Sequence, residues 1–111
     1  ARALLERLAI ENVRVHVGDG TLGWPEHAPY DGILVSAGAP DVPTSLTDQL
    51  AIGGNLILPV GSSPYDQSLV RVHRRDAETL KQTRLGGVRF VPLVGRQGWS
   101  ADDAKRPGWL R

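Results

Sequence analysis

The triplet Gly18-Asp19-Gly20 closes a short apolar alternation and opens onto Thr21-Leu22-Gly23-Trp24. A carboxylate between two glycines at a strand end can be approached closely by a flat ligand, because its neighbours carry no Cβ. In open parallel α/β sheets this carboxyl edge is where nucleotides bind. Taken alone, the triplet reads equally well as a turn, since Asp-Gly is a common turn pair. Its company adds weight. Ala28-Pro29-Tyr30-Asp31 leads into an apolar run, and Ala37-Gly38-Ala39-Pro40 leaves it. Gly53-Gly54-Asn55-Leu56-Ile57-Leu58-Pro59-Val60-Gly61 follows, and Phe90-Val91-Pro92-Leu93-Val94-Gly95 comes later. Each puts Gly, Ala or Pro where a strand ends.

Other chemistry finds little support. His16, His27 and His73 lack metal-ligand spacing and have no clustered carboxylates beside them, so they read as surface or strand residues. Gly61-Ser62-Ser63 lacks the second glycine of a nucleophile elbow. Arg71, His73, Arg74 and Arg75 form a basic cluster that a solvated sheet edge explains as well as nucleic-acid binding does.

Periodicity supplies the elements that must position these residues. Arg2 to Ala9 reads as the last turns of a helix, with Leu4, Leu5 and Leu8 on one face. Val13 to Val17 alternates as a strand, Thr21 to Tyr30 is a loop, and Asp31 to Ala37 is a strand buried on both faces. Pro43-Thr44-Ser45 starts a helix carrying Leu46, Leu50 and Ile52, which Gly53-Gly54 terminates. Asn55 to Val60 is a further buried strand. Ser68 to His73, Leu80 to Leu85 and Val88 to Val94 then form an antiparallel meander with tight connections at Asp76-Ala77-Glu78 and Gly86-Gly87. The expected organisation is one α/β domain portion: residues 1–10 the end of a helix, 11–61 a parallel part, 66–95 an antiparallel part, and 96–111 a tail.

A chain of 111 residues forms at most one modest domain, burying roughly two-thirds of its unfolded surface. Net charge of +1 gives no field that argues for nucleic acid or an anionic membrane. No apolar run is long enough to span a bilayer. With no cysteine, disulfides, thiolate metal sites and a cysteine nucleophile are ruled out, and a reducing cytoplasm is compatible. No methionine is present, and the first helix opens mid-pattern, so the sequence reads as a fragment.

In order and spacing, the strand-edge segments from about Asn12 to Trp99 resemble the protein-L-isoaspartate O-methyltransferase family. That resemblance implies a Rossmann-like methyltransferase sheet and methyl transfer from S-adenosyl-L-methionine to the α-carboxylate of L-isoaspartyl residues in damaged proteins. It places Asp19 and Gly20 beside the adenine, with the Asp19 carboxylate accepting from the exocyclic amine. Val94 falls on the cofactor side, and Ala39, Pro40 and Val91 on the substrate side. Gly38 stands where many relatives have Ala. A monomeric, cytoplasmic enzyme acting on proteins or peptides is implied, without metal, membrane or nucleic acid.

An α-carboxylate has an ordinary pKa of about 3.5 and is already a nucleophile at neutral pH, so no catalytic side chain is expected here. The family's glycine-rich cofactor loop, its ribose-holding acid and its substrate-side hydroxyl lie upstream of the triplet, and nothing from Ala1 to Val17 supplies them. The chain alone is therefore expected to bind the cofactor poorly and to be inactive. In the usual strand order 3-2-1-4-5-7-6, Val13 to Val17 is the third strand and Asp31 to Ala37 the fourth. The competing readings are a methyltransferase for a small molecule or RNA, and a truncated, non-catalytic binding module.

Overall fold

The computed structural model describes residues 7–9, 12–13, 16–63 and 66–100. These form a four-stranded mixed sheet in the order β1-β2-β3-β4. The strands are β1 (Tyr30–Leu34), β2 (Leu50–Ser63), β3 (Asp66–Arg74) and β4 (Leu80–Val88). One short helix, α1 (Thr44–Asp48), connects β1 to β2. β1 and β2 are parallel, with Ile33 opposite Leu56 and Leu34 opposite Ile57. β2–β3 and β3–β4 are antiparallel.

Period-two alternation fixes which face is buried. Leu56 and Leu58 on β2 pair with Val72 and Val70 on β3. Leu56, Leu58 and Val72 have no exposed surface, and Leu46 of α1, Leu50 and Ala39 join them in the core. Ile33, Val35, Val42, Val60 and Leu93 pack around this cluster. Each such aliphatic side chain contributes ~1.5–3 kcal/mol relative to an exposed one.

Several elements depart from the sequence expectations. Most of the expected first helix lies outside the described residues; Arg7 is helical and Ala9 has a φ of +55°. Of the expected strand Val13 to Val17, Arg14 and Val15 lie outside the described residues. Val13, His16 and Val17 are not in a strand, and Val17 is 84% exposed. Alternation makes a strand only where a neighbour supplies the ladder, and no described strand pairs with this segment. The strand expected over Asp31 to Ala37 is not buried on both faces: Leu34 is 75% exposed. β1 is an edge strand among the described residues, so one side of Leu34 meets no packing partner.

The helix starts where expected but ends at Gln49, whose N–H bonds back to the Leu46 and Thr47 carbonyls. Leu50 and Ile52 belong instead to β2, because the Tyr30 N–H captures the Gln49 carbonyl at 2.7 Å and starts the ladder there. Gly53-Gly54 is thus a bulge rather than a helix terminus. The register jumps from Tyr30↔Leu50 to Gly32↔Asn55, and Gly53 adopts a φ of +83° that glycine alone tolerates well. Beyond Pro59 the strand continues to Ser63. The ladder is carried by the Pro59 carbonyl, which accepts from the Ala39 N–H at 2.9 Å, and by the Gly61 N–H, which donates to the Ala39 carbonyl at 3.0 Å.

In the antiparallel part, Asp76 makes the expected tight turn, its carboxylate accepting from the Glu78 and Thr79 amides at 2.9 and 2.8 Å. Gly86-Gly87 is not a connection; it lies within β4, at a register shift opposite Leu69. Val88 to Val94 does not form a third meander strand. β4 ends at Val88, and Pro92 instead makes an isolated parallel bridge to Gly38. The order 4-5-7-6 expected for the last strands is also corrected, since β2, β3 and β4 are neighbours in chain order. Short connections favour hairpins between consecutive strands over insertion of a later strand.

Candidate functional site

At the carboxyl end of β1 the backbone leaves the sheet through Val35-Ser36-Ala37, and a cleft of about 510 Å³ opens beside it. Its wall is largely apolar: Ile33 and Leu34 from β1, Val35 just after it, Leu46 from α1, and Leu93. Gly20, Gly23 and Trp24 close it from the opposite loop. The His16 ring stacks on Trp24 with centroids 4.6 Å apart and planes 12° from parallel, and His27 meets Trp24 edge-on. A second hollow of about 610 Å³ lies at the start of β2, bounded by Asp48, Leu50 and Arg74. It is at the other end of the strands, away from every Gly- and Pro-marked carboxyl edge.

Asp19 stands next to Gly20 at the rim of the first cleft. Its side chain caps a 3₁₀ turn (Gly20–Leu22). Oδ1 accepts from the Thr21 N–H at 2.9 Å and from the Thr21 hydroxyl at 2.6 Å. Oδ2 accepts from the Arg96 N–H at 2.7 Å. The Thr21 hydroxyl bond and the Arg96 amide bond hold the Asp19 carboxyl below its ordinary value of 3.8. A carboxylate has about four lone-pair directions. Three are used within the chain, which leaves one on Oδ2 for a donor from outside.

Three glutamines fix the loops around the cleft. Gln49 accepts from the Trp24 N–H and donates to the Leu22 carbonyl, both at 2.9 Å. Gln67 accepts from the Phe90 N–H at 2.9 Å and donates to the Phe90 carbonyl at 3.2 Å. Gln97 accepts from the Ser45 N–H at 3.1 Å and donates to the Ser45 hydroxyl at 2.6 Å. Gln49 and Gln67 each pair with a loop N–H and carbonyl as a neighbouring strand would, and Gln97 takes a donor from the first turn of α1, satisfying polar groups that the sheet does not reach.

The residues singled out in the sequence are partly brought together. Asp19 and Gly20 sit at the cleft, and Val94 lies near them, bridged to Trp99 and followed by Gly95, which packs on Asp19. Ala39 is fully buried in the core, where it bridges to Val60. Pro40 is half-buried, and Val91 is 68% exposed with its carbonyl accepting from the Gly38 N–H at 2.7 Å. His73 is occupied with Asn55 at 3.0 Å. Sequence reasoning missed Thr21, the three glutamines, and the Arg96 amide. Only Thr21 left a signal, because Asp-x-Thr is an Asx-turn spacing; a glutamine gives no hint of which loop it will hold.

The described residues thus form a mixed α/β sheet with an apolar cleft at the carboxyl end of β1. The family model for protein-L-isoaspartate(D-aspartate) O-methyltransferase matches residues 1–98, and the chain belongs to that family. It is 58% identical to Protein-L-isoaspartate O-methyltransferase 2 of Pelobacter propionicus over 99 residues, which covers 89% of this chain and 44% of that protein. It is 48% identical over 103 residues to the Geobacter metallireducens enzyme, covering 93% of this chain and 47% of that one. The chain thus spans somewhat under half the length of these relatives. Among solved structures, a protein-L-isoaspartate O-methyltransferase superimposes with a TM-score of 0.77 at 34% identity, over 87% of this chain and 31% of that one. A Plasmodium falciparum family member in complex with S-adenosyl-L-homocysteine gives 0.68 at 27% identity, over 84% and 45%.

Proposed function

We propose that this chain forms the adenine-side and substrate-side edge of a protein-L-isoaspartate O-methyltransferase. The whole protein would transfer a methyl group from S-adenosyl-L-methionine to the α-carboxylate of L-isoaspartyl residues. The observation that carries the reading is the Asp19 carboxylate, held by three hydrogen bonds beside Gly20 of an apolar cleft, with one acceptor direction unused among the described residues.

The residues present fit the adenine end of the cofactor. A flat base needs an apolar slot, which Ile33, Val35 and Leu93 supply, and an acceptor for its exocyclic amine, which Asp19 Oδ2 supplies. When bound, S-adenosyl-L-methionine supplies an electrophilic methyl on a sulfonium. The chain's own task is to orient and to exclude water. The acceptor is the already ionised α-carboxylate, so no side chain has to remove a proton. Alignment of two reactants contributes roughly 7–11 kcal/mol where the geometry is right. An apolar wall strengthens the attraction between anion and cation by keeping water out. Ala39, Pro40 and Val91 are assigned to the peptide side through the backbone they shape; the Gly38 bonds to Val91 and Leu93, both 2.7 Å, hold the two segments side by side.

The 111 residues on their own are proposed to bind the cofactor weakly, because they contain no glycine-rich loop ahead of Gly18 to take the rest of it. Calorimetric titration of this polypeptide with S-adenosyl-L-methionine tests that reading; micromolar binding would overturn it.

A further inference from the structure

The bonds that hold Asp19 do not end at Thr21. The Thr21 hydroxyl, fully buried, also accepts from the Gln97 N–H at 3.0 Å. With that amide on the oxygen, the hydroxyl hydrogen is committed to Asp19 Oδ1. Gln97 in turn is anchored at the first turn of α1, taking the Ser45 N–H, a helix-start donor with no partner inside the helix. The turn that delivers the Gln97 and Arg96 amides lies flush on the triplet. A Cβ on Gly95 would collide with Asp19 Oδ1, and one on Gly98 would come within 3.1 Å of Thr21 Cγ2.

We propose that Gln97 is a positioning residue for adenine recognition: by tying the 95–99 turn to Ser45, it fixes the direction of the one acceptor lobe that Asp19 has left. The inference rests on the reading of Asp19 as the acceptor for the exocyclic amine, and goes beyond it by locating where that direction is set. Gln97 touches neither the methyl group nor the acceptor carboxylate in this scheme. Its loss therefore acts on discrimination between a 6-amino and a 6-oxo purine.

The test is calorimetric binding of S-adenosyl-L-homocysteine and S-inosyl-L-homocysteine to the natural full-length protein and its variants. An acceptor aimed at the amine rejects the 6-oxo analogue, so the wild-type protein should prefer the adenosyl ligand by about tenfold or more. Gln97→Ala should shrink that preference to about twofold, by weakening the adenosyl ligand while leaving the inosyl ligand nearly unchanged. Gln97→Glu should restore it, because the Ser45 hydroxyl can reverse its role and donate. Should Gln97→Ala fail to fold, Ser45→Ala, which removes only the hydroxyl end of the anchor, should still reduce the preference about threefold. An unchanged preference in these variants, or equal weakening of both ligands, overturns the inference and leaves the functional reading intact. Absence of adenosyl preference in the wild-type protein overturns the reading of Asp19 itself, and this inference with it.

Discussion

Asp19 and Arg96 lie 77 residues apart in the chain, yet the Arg96 amide donates to the Asp19 carboxylate at 2.7 Å. The bond makes the late turn at Gly95 part of the same site as the early Gly18-Asp19-Gly20 triplet. Replacing Asp19 by Asn keeps the shape but turns one acceptor oxygen into an NH₂ that must face either Arg96 N–H or the Thr21 donors. The expected result is a lower midpoint of thermal unfolding, with S-adenosyl-L-homocysteine affinity reduced by about tenfold in the full-length protein. Differential scanning fluorimetry and calorimetric titration measure the two effects separately.

Two glycines of the site should respond in opposite ways. A Cβ on Gly95 meets Asp19 and Thr21, whereas a Cβ on Gly20 meets nothing within 4 Å. Gly95→Ala should therefore destabilise the fold by about 1–3 kcal/mol, as overpacking does. Gly20→Ala should leave stability within about 0.5 kcal/mol, as an unobstructed surface change does. Urea unfolding of both variants against the wild type checks the contrast.

Acid should weaken the fold through the same groups. Asp19 is held below 3.8 by the Thr21 hydroxyl and the Arg96 amide, and Asp76 by the Glu78 amide and the Thr79 side chain. A depressed folded value means the unfolded chain binds protons more readily, so the stabilisation is complete above the ordinary value and is lost as pH falls through the folded one. Asp76→Asn removes the ionised acceptor, so it should lower the neutral-pH midpoint by as much as the wild type loses through this group in acid, and flatten the acid limb correspondingly. Urea midpoints measured from neutral pH downwards test it; an acid limb as steep as the wild type's would contradict it.

The core should be unforgiving. Leu56 and Leu58 have no exposed surface and pair across to Val72 and Val70. Leu58→Ala should cost about 2–5 kcal/mol by removing contacts that the neighbours cannot close up to replace. Chemical denaturation measures this, and a cost near zero would mean that the β2–β3 face is not packed as described.

Which parts of the molecule were legible in the sequence follows from the range of the interactions involved. Leu56-Ile57-Leu58 reads as a strand because its pattern is local, and β2 contains it. The Asp76 turn is equally local, its carboxylate bonding two and three residues on. Leu50 and Ile52 satisfied helical spacing, but the choice between helix and strand was made by Tyr30, twenty residues away, whose amide takes the Gln49 carbonyl. Val88 to Val94 has strand-like composition, yet Gln67 and Gly38 bond its backbone and draw it off the end of β4. At the site, the carboxylate and its glycines could be picked out from residue type. The glutamines that position the surrounding loops could not, since nothing local distinguishes Gln97 from an exposed residue.

The central claim is most directly tested by methyl transfer. The natural full-length protein would be incubated with methyl-labelled S-adenosyl-L-methionine and either an L-isoaspartyl peptide or the same peptide with ordinary aspartate. The account predicts a base-labile methyl ester on the isoaspartyl peptide and none on its aspartyl counterpart. Failure to label the isoaspartyl peptide, or equal labelling of both, would contradict it.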